Sequence, residues 1–336
     1  PFGRIAPALL FIHLTPRLIP IIILPAMPNP KKPPVSPLLV IAIGILAVST
    51  SSILIRYAQV YADSLVIAAY RLVLASLVLA PVALTRHRAE LRSLSRTEFL
   101  LGLVSGVFLA IHFGTWISSL EYTSVASSVV LVTTTPLWVA LMAPLLLRER
   151  LNPIVFAGIF LAMLGSAIVG LADTCSIQGS SLACPPLADF VRGKAFFGDL
   201  LALAGALAAA GYIIIGRRLR ARLSLVGYIF VVYGFAALAL LAYLPLTGLP
   251  LFGYPPQAYL FFLLLGLVPQ LIGHSSFNWA LGYLPAAIVS ITLLGEPVGA
   301  TILALLILQE TPTPLKLAGA VLILGGILVS TYRKSA

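Results

Sequence analysis

Between Arg222 and Glu296 the chain runs for 73 consecutive residues without an Asp, Glu, Lys or Arg. No soluble domain can solvate such a stretch, and a bilayer requires it. Shorter uncharged runs fill 33–55, 99–120, 122–147 and 151–172, each able to supply the roughly 20 apolar residues of a spanning helix. Over 336 residues the chain is 60% hydrophobic and only 9% charged, with a mean hydropathy of +1.08, which leaves too little polar surface for a soluble fold. Leu, Ala, Ile and Gly run together without the period-two alternation of a membrane β-barrel, so the backbone must satisfy its polar groups inside helices. The expectation is an all-α membrane protein.

Ten spans are expected, near 37–57, 64–85, 98–119, 123–146, 152–172, 197–216, 224–246, 257–281, 285–308 and 314–332. The net charge of +11 sits almost wholly in the short connections between them, which marks topology rather than a nucleic-acid partner. With the start of the bundle in the cytoplasm, fourteen cations fall inside: Lys31, Lys32, Arg86, Arg88, Arg92, Arg96, Arg148, Arg150, Arg217, Arg218, Arg220, Arg222, Arg333 and Lys334. Four fall outside: Arg56, Arg192, Lys194 and Lys316. The imbalance places the bundle start and the C-terminus in the cytoplasm of a multi-pass protein of the cell membrane. Residues 1–36 read as a Pro-rich N-terminal extension that does not span, because Arg17 and prolines at 7, 16, 20 and 25 interrupt its apolar stretch. Met27 is the one methionine before residue 142 and is a candidate native start; a targeting or interfacial segment is the other reading. Cys175 and Cys184 share one polar connection, external in this topology, and are a candidate disulfide pair. No His lies at metal-ligand spacing from them, so no metal site is implied.

The chain repeats itself. A shift of 161 residues lays Tyr122 on Tyr283, Ala126 on Ala287, Pro136 on Pro297, Glu149 on Glu310, Pro153 on Pro314, Gly158 on Gly319 and Gly165 on Gly326, with Arg56 on Arg217. The halves are 37–172 and 197–336, joined by an external loop over 173–196. Each holds five spans, an odd number, so the second enters the membrane from the opposite side and the two form inverted repeats. The stretches TTTPLWVALMAPLLLRERLNPIVFAG and LLGEPVGATILALLILQETPTPLKLAG resemble the EamA-type branch of the drug/metabolite transporter superfamily. That family's halves carry a proline in the fourth span, an acidic residue closing it and a glycine-bearing fifth span. The resemblance covers about 300 residues and implies a fold of two inverted five-helix repeats. It also implies transport of amino acids, other metabolites or drug-like compounds. The long connection bearing the two cysteines departs from the family's short link.

Ionisable groups at membrane depth demand a partner, water or a function. Arg71 lies near the outer end of the second span, where it can snorkel, join a structural ion pair or meet a substrate carboxylate. Glu296 lies near mid-membrane, and Pro297 after it leaves the carbonyl four residues back without its helical donor. A carboxyl group at that depth favours its neutral form, which suits proton exchange, a substrate ammonium, or a neutral hydrogen bond between helices. Gln270, His274 and Asn278 form a stripe at i, i+4 and i+8 of the eighth span. The third span offers Ser105, His112, Thr115, Trp116 and Ser119, and the first Ser49, Ser52 and Arg56. All of these either line one cavity or hydrogen-bond between helices. Trp116, Trp279, Tyr70, Tyr212 and Tyr233 either stack on a substrate or pack. Pro136 and Pro297 are candidate hinges, and Glu149 and Glu310 candidate anchors or gate contacts. Gly102 and Gly106 mark close helix packing.

The function these features favour is secondary transport of small metabolites. The expected form is an amino-acid or related exporter working by alternating access, driven by protons or by the solute gradient. No GxxxxGK[ST] motif accompanies it, so no nucleotide cofactor is called for. Nor is there a Ser/His/Asp, HExxH or paired-aspartate pattern at membrane depth, so enzymatic activity is not expected. The alternatives are a non-transporting membrane receptor or assembly protein, and an importer of anionic sugar derivatives, which would need more than the single deep cation Arg71.

Overall fold

The computed structural model describes residues 33–123, 125–149, 152–174, 176–178, 181–183, 194–308 and 313–331. Every apolar run expected to span is helical. The first is α1 (Pro37–Ser49) with α2 (Ser51–Gln59), followed by α3 (Ser64–Arg86), the short α4 (Arg88–Arg92) and α5 (Arg96–Tyr122). Then come α6 (Val125–Val132) with α7 (Thr135–Leu146), and α8 (Pro153–Thr174). In the long connection β1 (Ser176–Gln178) and β2 (Ser181–Ala183) pair antiparallel, Ser176 opposite Ala183. The second half holds α9 (Lys194–Arg220), α10 (Leu225–Thr247), α11 (Pro256–Leu265), a π-helical segment (Gly266–His274), α12 (Ser275–Ala280), α13 (Ala286–Thr292), α14 (Gly295–Leu308) and α15 (Pro314–Thr331). Among the described residues seven helices are long and apolar enough to cross a membrane, and three shorter apolar ones accompany them. The result is a multi-pass helical membrane bundle, with large apolar side chains such as Leu46, Leu77, Phe160 and Val321 exposed along its outside.

Proline and glycine shape the interior. The helices before Pro136 and Pro297 both break, between α6 and α7 and between α13 and α14, at nearly the same place in the repeat. Neither break leaves the expected orphan carbonyl. At Pro136 the Thr135 hydroxyl donates to the Val132 carbonyl at 2.8 Å. At Pro297 the Glu296 amide donates to the Leu293 carbonyl at 2.9 Å, a tightened turn in place of the missing α-helical donor. In the eighth apolar run Pro269 removes another ladder donor, and there the helix widens into the π segment.

The α8 and α15 helices cross at backbone distance. A Cβ on Gly158 would lie 2.6 Å from the Gly326 carbonyl oxygen, and one on Gly165 would lie 2.6 Å from that of Gly319. Gly106 meets α10 in the same way, its Cβ position 3.0 Å from the Ala236 nitrogen.

One end of the bundle gathers the basic connections into polar contacts. Ser95 and Glu98 close a capping box on α5, and Glu98 meets Arg222 at 3.1 Å. Glu90 on α4 accepts from the Ser224 amide at 2.5 Å, its hydroxyl at 2.6 Å and His87 Nδ1 at 3.1 Å, clamping the connection between α3 and α5 onto the start of α10. Burial pushes the Glu90 carboxyl up, but the donors from Ser224 and His87 together outweigh it and hold the group below the ordinary carboxylate value. A depressed folded-state value means the clamp stabilises fully above the unfolded carboxylate pKa and is lost as pH falls through the folded one. Glu90→Ala is expected to cost about 2 kcal/mol at neutral pH. The thermal midpoint of purified protein in detergent, followed against pH, should fall less steeply on acidification in Glu90→Gln than in wild type.

A cavity between two broken helices

Both helix breaks open onto one cavity, where the space between protein atoms, open solvent included, amounts to about 640 Å³. Thr133 and Thr135 line it from the first break, Leu293 and Glu296 from the second. His112 and Trp116 enter from α5, Tyr212 from α9, and His274 and Asn278 from the eighth run. Five of the seven residues expected to bind or couple therefore line the same space: Glu296, His274, Asn278, His112 and Trp116. Arg71 and Gln270 stand behind its wall.

Each side chain is placed by a definite contact. His112 Nδ1 lies 3.0 Å from the Gly205 carbonyl. A carbonyl only accepts, so Nδ1 carries a proton, and Nε2 is an acceptor whenever the ring is neutral. Trp116 stacks on His112, with ring centroids 5.9 Å apart and planes 12° apart, so one of its faces is used by protein. Asn278 accepts from the Tyr212 hydroxyl at 2.5 Å and donates to Tyr233 at 3.0 Å, which fixes its amide orientation. His274 sits edge-on to Phe113 at 5.1 Å between ring centroids. Ser49 donates to the Glu296 carbonyl at 3.3 Å and ties α1 to the second break, while Arg56 is exposed away from the cavity. Of the remaining aromatics, Trp279 packs on Tyr283 at 4.5 Å and Tyr70 on Phe262 at 4.6 Å.

The structure corrects the snorkelling alternative for Arg71. The side chain is fully buried, donates to Gln270 Oε1 at 2.8 Å and Ser51 Oγ at 2.9 Å, and lies over the Phe113 ring at 4.1 Å. Among the described residues no carboxylate approaches its guanidinium within salt-bridge distance. The expected polar stripe is likewise divided. Gln270, inside the π segment, turns to Arg71, while His274 and Asn278 serve the cavity. Pro269 was the available signal for that irregularity.

On the basic side the halves meet beside Leu281, a cavity-lining residue, in a contact that sequence reasoning did not pair. Arg148 takes φ 55°, a left-handed conformation, and the next residue, Glu149, meets Arg217 Nε at 2.9 Å and accepts from the Ala286 amide at 3.2 Å. Arg217 also donates to the Leu281 carbonyl at 2.8 Å, and its side chain is only 7% exposed. Near this contact α13 packs on α7, whereas beyond the two breaks α14 barely touches α6. Glu310, Cys175 and Cys184 lie outside the described residues. Among the described residues no cluster of three His, Cys, Asp or Glu side chains is placed to hold a metal ion.

A duplicated helical bundle with a central cavity defines a class of membrane transporter-like proteins, and the sequence narrows it further. The profile of the EamA-like transporter family matches twice, over 35–171 and 196–332, and the chain belongs to this family. An uncharacterized transporter of Archaeoglobus fulgidus is 24% identical over 304 residues, covering 88% of this chain and 97% of the relative. The uncharacterized transporter YdfC of Bacillus subtilis is 27% identical over 271 residues, covering 80% and 81%. A solved crystal structure superposes with a TM-score of 0.65 at 20% identity, covering 87% of this chain and 95% of that one, a likeness of fold.

Proposed function

We propose that the protein is a secondary transporter that exports amino acids or related small metabolites by alternating access between two inverted five-helix repeats, 37–172 and 197–336. In this reading all ten apolar runs span the cell membrane, the bundle start and C-terminus face the cytoplasm, 173–196 is external and 1–36 lies outside the bundle. The observation that carries the proposal is the cavity between the two broken helices, and the Glu149–Arg217 ion pair beside it is read as the gate at the basic end. Discontinuous helices at a repeat interface are where secondary transporters place substrate. With the basic end cytoplasmic, the closed contact lies inside and the cavity faces outward. Pro136 and Pro297 are the hinges, and Glu149 is a gate contact.

Glu296 is the coupling carboxyl in this scheme, exchanging a proton or receiving a substrate ammonium. Among the described residues no Lys or Arg lines the cavity, so a sugar phosphate would be desolvated there without a cation to meet it, which disfavours import of anionic sugar derivatives. The test is counterflow of radiolabelled amino acids and metabolites into proteoliposomes, with and without a pH gradient. Wild type is expected to show saturable uptake that responds to the gradient, and Glu296→Gln to lose the response. Uptake in which wild type and variant respond alike removes Glu296 from coupling. No uptake of any compound by folded protein overturns transport and favours a receptor or assembly role.

A further inference from the structure

Among the lining residues, two hold a buried polar atom with no hydrogen-bond partner in the protein: Trp116 Nε1 and Glu296 Oε1. They are of opposite kind. The indole nitrogen only donates, whereas a carboxyl group accepts and, once it has given its proton up, only accepts. Neighbouring groups do not satisfy the indole. The Trp116 ring itself stacks on His112, and its N–H has no acceptor among the described residues. In the 161-residue register Trp116 corresponds to Phe277, which also lines the cavity and has no N–H. The donor therefore belongs to one side of the cavity only. The rest of the wall is largely apolar, with Val132, Ile213, Leu281 and Val289 facing the same space.

We infer that Trp116 is a specificity-determining residue: its indole N–H reads a hydrogen-bond acceptor on a ligand whose protonated amine faces Glu296 and whose apolar body fills the remainder of the cavity. A site with a buried donor discriminates strongly against a ligand lacking the matching acceptor, because binding such a ligand leaves the donor unpaired in a dry environment. This assignment rests on the transport reading, since it gives the cavity a cargo. It adds the requirement that the cargo carry both groups on one apolar frame.

The experiment uses leucine, isoamylamine, which is leucine without its carboxylate, and 4-methylpentanoate, which lacks the amine. Each competes with radiolabelled leucine for counterflow in proteoliposomes of the full chain, wild type against Trp116→Phe. Phenylalanine keeps the stacked ring and removes the donor. Leucine affinity is expected to fall about tenfold in the variant, the loss of one buried hydrogen bond. Isoamylamine is expected to compete weakly in wild type and equally weakly in the variant, and 4-methylpentanoate not at all. Equal losses for leucine and isoamylamine would make Trp116 a packing residue, and no loss for either would remove it from recognition. Both results overturn the inference while transport stands. Counterflow by other members of the metabolite panel with none by leucine or any other amino acid overturns the amine-and-acceptor cargo alone. Silence of the whole panel overturns transport and the inference together.

Discussion

Glu149→Gln is expected to open the basic end of the bundle. Arg217 then keeps its bond to the Leu281 carbonyl but has no counter-charge, although its side chain is 7% exposed. Breaking a nearly buried ion pair by removing one member costs about 3 kcal/mol or more, because the survivor stays desolvated. Glu149 also accepts from the Ala286 amide at the start of α13, so the change loosens a helix terminus as well as a pair. All of this cost falls on the closed arrangement. A shift of about 3 kcal/mol changes the ratio of closed to open molecules by about a hundredfold. The readout is maleimide labelling of Leu281→Cys, a cavity position 1% exposed, with Cys175 and Cys184 replaced by serine. Labelling from the basic side should be slow with Glu149 and Arg217 present and fast in Glu149→Gln. The exchange Glu149→Arg with Arg217→Glu should slow it again. Failure of the exchange to restore protection would mean that the contact is held by shape and not by charge.

Gly158→Leu is expected to prevent the native fold. At this crossing the neighbour of α8 is backbone, the Gly326 carbonyl, with Ser330 Cβ 2.7 Å from the Cβ position. A flexible side chain could swing away, but a carbonyl in a helix cannot. The two helices must separate along their whole contact, which loses the packing that holds helices together in lipid. Overpacking alone typically costs about 1–3 kcal/mol, and here it is added to lost helix contact. Gly325→Ala is the control, because the nearest atom to its Cβ position is Leu161 Cδ2 at 3.7 Å. On size exclusion in detergent the control should elute as wild type does, and Gly158→Leu should aggregate or vanish. A monodisperse Gly158→Leu protein with an unchanged thermal midpoint would show that the crossing is not needed.

Much of the architecture is legible in residue chemistry because lipid removes alternatives. An uncharged apolar run in a bilayer must be helical, and the helices lie where those runs lie. The landmarks that recur at 161 residues, proline just after each break and glycine at each crossing, report backbone geometry directly. Side-chain pairing is a different matter. Arg217 reads along the chain as one more cation of a basic connection, and nothing local says that it meets Glu149, 68 residues away. Arg71 and Gln270 both stand out as polar groups at depth, yet their contact depends on the π segment. Periodicity arguments assume 3.6 residues per turn and so miss a change of helical pitch. The same assumption made a single stripe of Gln270, His274 and Asn278. Trp116 was legible as a cavity residue, but whether its face or its N–H is available depends on where His112 lies.

The two helix breaks are alike in position but unlike in chemistry. In the repeat register Thr135 stands where the other half has Glu296, and Trp116 where it has Phe277. Perfectly equivalent halves would make the two facing states degenerate and would give a ligand two equal poses, one the reverse of the other. Each substitution across the pseudo-axis lifts that degeneracy. The acid of one half and the donor of the other give the cavity a polarity of its own, so a bound molecule has a head and a tail with respect to the membrane. In the transport cycle proposed above it would keep that orientation while the protein changes face around it.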